Sequence, residues 1–249
     1  MKKHRSSQFL AICTAAVLAL SVPAWASQVS ITPLDTGNTT SSQSQSGASE
    51  PSTAQNTSGQ TVDISSITKP TVASQGAVLL NAADGSVLFS KNGDTTYYPA
   101  SITKLMTALL VAENCNLDDT VTFSATATTN LESGAVSIGM AEGDTMTVRQ
   151  CLYALLLKSA NEVGNALAEH VAGSNAAFAE KMNAKAASLG CTNTHFANPH
   201  GLNDPNHYTT PHDMALIARA AFANDIVKTV ASTRTYTLPA TKNNPSGLT

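Results

Sequence analysis

Charge is scarce in this 249-residue chain: Asp, Glu, Lys and Arg make up 12% of it, aromatic residues 5%, and tryptophan occurs once. So little charge and so few aromatics exclude the basic, base-stacking surface of a nucleic-acid binder. The net charge is −3, and loss of the leader cations Lys2, Lys3 and Arg5 takes it to −6, a mildly acidic surface with no basic stripe. Cysteine is too rare for a scaffold. Cys13 falls in the leader, and Cys115, Cys151 and Cys191 remain as an odd set at irregular spacing, which is no disulfide framework. Cys151 falls on an apolar helical face and reads as a small buried hydrophobe. One bridge among the three stays open. A long hydrophobic run is also lacking, because the apolar stretch at 9–22 is shorter than the roughly 20 residues that span a bilayer.

What is present begins with that stretch. A basic start, the apolar run and the small-x-small triplet Ala24-Trp25-Ala26 form a secretory leader over 1–26, so the protein is expected to be exported and to work outside the cytoplasm. Residues 27–66 are dominated by Ser, Thr, Gln, Gly and Asn and cannot bury enough surface to fold, which predicts a disordered tether. Asn38-Thr39-Thr40 and Asn56-Thr57-Ser58 fit the glycosylation pattern, but composition alone produces such matches there. Order is expected over 67–249, one sizeable domain in a chain that is 42% hydrophobic.

Within that domain, two apolar runs around Ala82-Ala83-Asp84-Gly85 predict a hairpin, its Asp-Gly supplying the unusual backbone angles. Ile102, Leu105, Met106 and Leu109 recur at the offsets of one buried helical face, so a core helix is expected from near Ser101 to about Asn114, its start fixed by Pro99. Residues 121–143 show no clear period. Val148, Cys151, Leu152, Leu155 and Leu156 define a second helix ending near Lys158, and further helices follow at about 162–171 and 175–189, the last stopped by Gly190. Residues 198–205 read as loop. Thr210, Pro211 and Asp213 then open another helix, with Met214, Ile217, Ala218, Ala221 and Phe222 facing inward. Residues 234–238 predict a strand.

The chemistry concentrates at two places. A helix starting at Ser101 puts Lys104 one turn away on the same side, next to the free N–H groups of the first turn. A serine hydroxyl needs a base, and a lysine serves as one if apolar surroundings lower its pKa. Any helix capped by Ser with Lys a turn later shows S-x-x-K, so the motif alone is weak. The second place is Lys158-Ser159-Ala160-Asn161, where a hydroxyl and an amide interrupt a strongly helical run. There Ser159 either caps the next helix beside a solvated Asn161, or relays a proton while Asn161 grips a substrate amide. S-x-x-K followed by S-x-N is a catalytic order.

Pro-Ala-Ser-x-Thr-Lys-Leu-Met-Thr, then Ser-Ala-Asn, then Phe196 through Leu202 as Phe-Ala-Asn-Pro-His-Gly-Leu, with Thr-Thr-Pro-His-Asp at 209–213, resembles the serine D-alanyl-D-alanine carboxypeptidases among the low-molecular-mass penicillin-binding proteins. The resemblance covers about 67–249. It implies an α/β (α+β) fold of the β-lactamase/transpeptidase type, a mainly antiparallel sheet backed by helices plus an all-helical lobe. It implies that Ser101 attacks the bond between the terminal D-alanines of a peptidoglycan stem peptide and that β-lactams acylate the same serine. Lys104 would be the base, Ser159 the proton relay, Asn161 a substrate-binding anchor and the Ser101 N–H an oxyanion donor, with no cofactor and no metal.

The family's third motif, Lys-Thr-Gly on a strand beside the site, has no counterpart. The only Lys-Thr, Lys228-Thr229, runs into Val230 and is expected after a helix. Two other readings stay open. A serine β-lactamase of the commonest class would add a glutamate downstream, yet the corresponding stretch, Asn-Pro-His-Gly-Leu-Asn at 198–203, has none. A non-catalytic, exported wall-binding module would keep the fold without turnover. His195, His200, His207 and His212 match neither H-E-x-x-H nor a zinc-finger spacing, which argues against a metal centre. The missing motif, the C-terminal strands that would pair with the hairpin and any membrane anchor are expected beyond residue 249. A fragment lacking them would keep an open sheet edge and a carboxylate pocket with one wall, and is expected to be unstable or inactive by itself; robust D-alanine release by these 249 residues alone would contradict that.

Overall fold

The computed structural model describes residues 53–55, 61–63, 70–129 and 131–249. The leader, both glycosylation triplets and most of the tether lie outside the described residues. Inside the stretch expected to be a tether, β1 (Thr53–Gln55) and β2 (Thr61–Asp63) pair antiparallel with Ala54 opposite Val62. They are separate from the unit formed by the rest of the described chain, residues 70–129 and 131–249, which contains everything below.

That unit opens with the expected hairpin. β3 (Ala77–Leu80) pairs antiparallel with β4 (Val87–Lys91), Leu79 opposite Phe89, with a register shift between Leu79 and Leu80. The turn closes locally: the Asn81 carboxamide oxygen accepts the Ala83 N–H, Asp84 accepts the Ser86 N–H, and Gly85 takes a positive φ of 81°. Arg219 covers the tip by donating to the carbonyls of Ala82 and Ala83.

A single 3₁₀ turn, Ala100–Thr103, then runs directly into α1 (Lys104–Asn114). α1 is the central helix and packs against five others, defined in order below. Met106, Thr107, Ala108, Leu109 and Val111 are buried around its whole circumference, as expected of a helix surrounded by helices. The expected one-faced pattern is corrected at its start: Ile102 is 36% exposed and Leu105 half-buried, while Thr103 and Lys104 between them are the buried residues, so the inward side of the first turn is the polar one.

Between 115 and 147 the chain forms β5 (Thr120–Thr122), the one-turn α2 (Ala125–Thr128) and β6 (Thr145–Thr147), with β5 and β6 antiparallel. α3 (Val148–Leu157) starts from a complete capping box between Thr147 and Gln150. α4 (Asn161–Ala172) follows after a short turn and ends at Gly173, and α5 (Asn175–Ser188) carries Phe178 and Met182 inward. α6 (Pro211–Ala223) begins as expected, Thr210 accepting the Asp213 N–H. The Asp213 carboxylate does not return to the cap. It is buried and accepts from the Asn193 N–H and the Thr194 hydroxyl, tying α6 to the preceding loop. Ala218 and Phe222 are only half-buried.

Two expectations near the end are corrected. α7 (Asp225–Ser232), capped by Asn224, was not anticipated, and Lys228-Thr229 lies inside it rather than after a helix. Residues 234–238 form no strand; Leu238 alone makes an isolated bridge to Leu248, and Tyr236 instead stacks on Tyr153 of α3 at 3.8 Å. The α-and-β class holds, with antiparallel pairing in all the described strands, but these make three separate two-stranded ribbons. No helix among the described residues is long and apolar enough to cross a membrane. Cys115, Cys151 and Cys191 are all free thiols.

Candidate active site

Ser101 lies exposed on the 3₁₀ turn, three residues before α1 rather than on it, and the tighter turn aims its hydroxyl at Lys104, whose Nζ is 3.1 Å away. The turn starts from an uncommon backbone: Ala100, a residue with a Cβ, adopts a φ of 49°. Lys104 itself is 2% exposed. Its Nζ reaches the Asn161 Oδ1 at 2.8 Å and the His200 carbonyl at 2.7 Å as well as Ser101.

Those partners decide what the amine can do. Asn161 Oδ1 and the His200 carbonyl only accept, so they take two N–H bonds whatever the charge on the lysine. Once Nζ loses a proton, its lone pair is left facing the Ser101 hydroxyl. Burial, opposed in part by the negative charge of Glu162, lowers the Lys104 pKa from 10.5 to about 8. That brings the neutral amine within reach of ordinary pH.

The turn between α3 and α4 completes the group. Ser159 has a positive φ of 58° and donates to Ser101 Oγ at 3.0 Å. It caps nothing, since the N-cap of α4 is Ala160, which makes no side-chain cap bond. Asn161 is buried rather than solvated. Its Nδ2 donates to the Val136 carbonyl at 2.9 Å, which fixes the amide with its oxygen toward Lys104. All four residues singled out in the sequence, Ser101, Lys104, Ser159 and Asn161, therefore meet in one cleft, and the helix-cap reading of Ser159 fails.

Sequence reasoning missed the backing of the site. Residues 196–203 pass behind the 3₁₀ turn and α1, and the Thr107 hydroxyl donates to the Pro199 carbonyl at 2.6 Å beside the Lys104–His200 bond. His207 Nε2 meets the buried Thr103 hydroxyl at 2.8 Å, while its Nδ1 accepts the Ala197 N–H. His200 Nδ1 accepts the Leu202 N–H. Burial, with the Lys104 charge and His207 nearby, holds His200 down at about 3; burial, opposed by Asp204, holds His207 down at about 4. Both rings are neutral, with a backbone-facing Nδ1. Among the described residues no three His, Cys, Asp or Glu side chains are placed to share a metal ion. The signal available in the sequence was the glycine in Asn-Pro-His-Gly-Leu. Gly201 has a φ of 88°, and a Cβ there would lie 1.9 Å from the Ala100 carbonyl oxygen.

A hydroxyl bonded to a buried amine and to a second hydroxyl, within a mixed fold of helices and antiparallel ribbons, is the equipment of a serine acyl-transfer site. The comparisons name the family: residues 63–245 match the model of D-alanyl-D-alanine carboxypeptidase, Peptidase_S11, and the chain belongs to that family. It is 39% identical over 183 residues to a D-alanyl-D-alanine carboxypeptidase of Streptomyces sp. (strain K15), covering 69% of this chain and 62% of that one. It is 38% identical over 150 residues to DacF of Bacillus subtilis (strain 168), covering 58% and 38%. It thus spans less than two thirds of either relative's length. The crystal structure of a D-alanyl-D-alanine carboxypeptidase from Mycobacterium tuberculosis H37Rv matches with a TM-score of 0.66 at 31% identity, over 74% of this chain and 68% of that one. A mutant of the Streptomyces K15 DD-transpeptidase matches with a TM-score of 0.66 at 35% identity, over 71% and 72%.

The close approach at Gly201 makes a direct prediction. Gly201→Ala adds backbone strain and forces the loop off Ala100, so it should lower stability by at least about 2 kcal/mol and slow acylation of Ser101, read as a fall in Tm together with a slower covalent labelling rate. A variant with unchanged Tm and labelling would show that the loop does not set the position of the turn.

Proposed function

We propose that this chain is the catalytic part of an exported serine D-Ala-D-Ala carboxypeptidase that removes the terminal D-alanine from peptidoglycan stem pentapeptides. The observation that carries the reading is the Ser101 hydroxyl held between the Lys104 amine and the Ser159 hydroxyl. Neutral Lys104 takes the Ser101 proton as Oγ bonds to the carbonyl carbon of the penultimate residue. The carbonyl oxygen takes up the electron pair and is met by backbone N–H, that of Ser101 among them. Ser159 passes its proton to the leaving amine of D-alanine as the C–N bond breaks and the carbonyl re-forms, and it recovers one from the Lys104 ammonium; water then hydrolyses the ester, its proton passing by way of Lys104 to the Ser101 oxygen. β-Lactams present an amide to the same serine and stay attached when water is poorly activated.

The lack of a glutamate placed to activate a deacylating water favours a carboxypeptidase over a β-lactamase. The stretch 198–203 holds no glutamate, and Glu162, the acidic residue beside the site, is 1% exposed and buried away from the solvent that would supply a deacylating water. The leader and tether suit a catalytic domain held at the outer face of the membrane or in the wall, where its polymeric substrate lies. Members of one fold carry names for both hydrolysis and transpeptidation, so D-alanine release and transfer to an added amine are to be counted separately.

The test is covalent labelling of the full-length protein by a fluorescent penicillin, with D-alanine release from a D-Ala-D-Ala peptide. Ser101→Ala should abolish both, and Lys104→Arg should cost at least about a hundredfold, since a guanidinium cannot be deprotonated. Because the amine is the active form, the wild-type labelling rate should rise with pH through about 8 and then level off. Nitrocefin should trap the enzyme rather than turn over. Labelling that survives Ser101→Ala would overturn the assignment, and an inert wild type would leave the wall-binding module.

A further inference from the structure

Glu162 is 1% exposed and sits in the first turn of α4, directly after Asn161. Its Oε1 accepts from the Ser137 hydroxyl at 2.6 Å and the Ile138 N–H at 2.7 Å, and more weakly from the Met140 N–H at 3.5 Å. Its Oε2 is buried with no hydrogen-bond partner among the described residues. A buried carboxylate with one oxygen unpaired is costly to keep, and a purely structural tie to one loop would be met as well by a neutral amide. The placement explains the charge. Residues 136–139 line a groove together with Lys158, and Val136 gives its carbonyl to both the Asn161 N–H at 3.0 Å and the Asn161 amide at 2.9 Å. Asn161 and Glu162 therefore pin the same segment from two adjacent positions, and Asn161 also holds Lys104.

Neither oxygen of Glu162 bonds Lys104, whose N–H directions go to Ser101, Asn161 and His200, so any influence on the amine is through charge across a buried, weakly screened space. Among the described residues, the loop behind the amine carries His200 and, behind it, His207, both neutral above about pH 4, and its far end is held at Asn203 by the exposed carboxylate of Glu132. Lys158 at the end of α3 is engaged by the Thr249 carbonyl. α1 carries its next charge only at Glu113, near its far end. This leaves Glu162 as the anion that answers a charged Lys104.

We propose that Glu162 is a positioning residue for acyl transfer: its carboxylate holds the 136–140 segment against Asn161 and is the fixed counter-charge of Lys104 when that amine carries the proton taken from serine. The proposal rests on the Ser101–Lys104 reading above. An anion that favours the ammonium form makes the amine a stronger base, and its removal must lower both the pH at which the base becomes neutral and the rate it then supports.

The experiment is the rate of labelling by fluorescent penicillin against pH, in the full-length protein, for wild type, Glu162→Gln, Glu162→Asp and Ser101→Ala. Glu162→Gln should move the acid limb down by about half a unit to one unit and lower the plateau by up to about tenfold. Glu162→Asp keeps the charge but shortens the reach, so its limb should stay at the wild-type pH while its plateau falls. A Glu162→Gln limb that coincides with wild type overturns the proposal and leaves the serine reading intact, provided Ser101→Ala remains unlabelled. Labelling in Ser101→Ala overturns the serine reading, and this one with it. Should Glu162→Gln fail to fold, Glu162→Asp decides: a lowered plateau on an unmoved limb supports the proposal, and a wild-type plateau or a shifted limb contradicts it.

Discussion

The amine of Lys104 sits behind the surface with 2% of the residue exposed, and the geometry of the site depends on keeping it there. A lysine in that position is a stability cost. The unfolded chain holds the proton up to about 10.5 and the folded chain only to about 8, a gap worth roughly 3 kcal/mol at neutral pH. Because the folded pKa is the lower one, the unfolded state binds more protons between those values. The cost is therefore fully present below pH 8 and relieved as pH rises through that window. The fold carries this burden by giving the ammonium three acceptors, two of which cannot donate back. The same arrangement leaves a lone pair on the serine once the proton is gone, so what tolerates the charge also prepares the base.

Three elements far apart in sequence make that arrangement. The 3₁₀ turn running into α1 brings Ser101 and Lys104, the α3–α4 turn brings Ser159 and Asn161, and the 196–203 loop brings the His200 carbonyl and the close packing of Gly201 on Ala100. Ala100 and Ser159 both hold positive φ values, two of the three such non-glycine residues found in the described chain, and both adjoin or belong to the site. Such backbones persist only where the surroundings over-determine them. Here the surroundings are the Thr103–His207, Thr107–Pro199 and Lys104–His200 bonds, which clamp the turn from behind.

Much of this was legible beforehand. The hairpin, the core helices and the Thr210 cap follow from periodicity and local capping chemistry, and the spacing of Ser101 and Lys104 put them within reach before any coordinates. What was not legible depends on contacts from elsewhere in the chain. The Ser101 turn packs on Gly201, a hundred positions downstream, where there is no room for a Cβ. α7 was missed because its eight residues include Ile226, Val227, Thr229 and Val230, whose branched side chains read as strand formers; the Asn224 cap was its one local signal. The alternation at 234–238 is real, but only Leu238 finds a bridge partner there, and Tyr236 stacks on Tyr153 instead. Glu162 stands at the expected start of its helix, and nothing in its sequence neighbours announces that Ser137 and Ile138 fold back onto it.

The central claim concerns the protonation of one nitrogen, and it can be observed without any reaction. In the protein labelled with ¹⁵N at lysine, the Lys104 Nζ resonance, assigned by its loss in Lys104→Arg, should titrate near pH 8, well below the remaining lysines. A Lys104 that stays charged to its ordinary value of about 10.5 would contradict the account, because no base would then stand beside the serine.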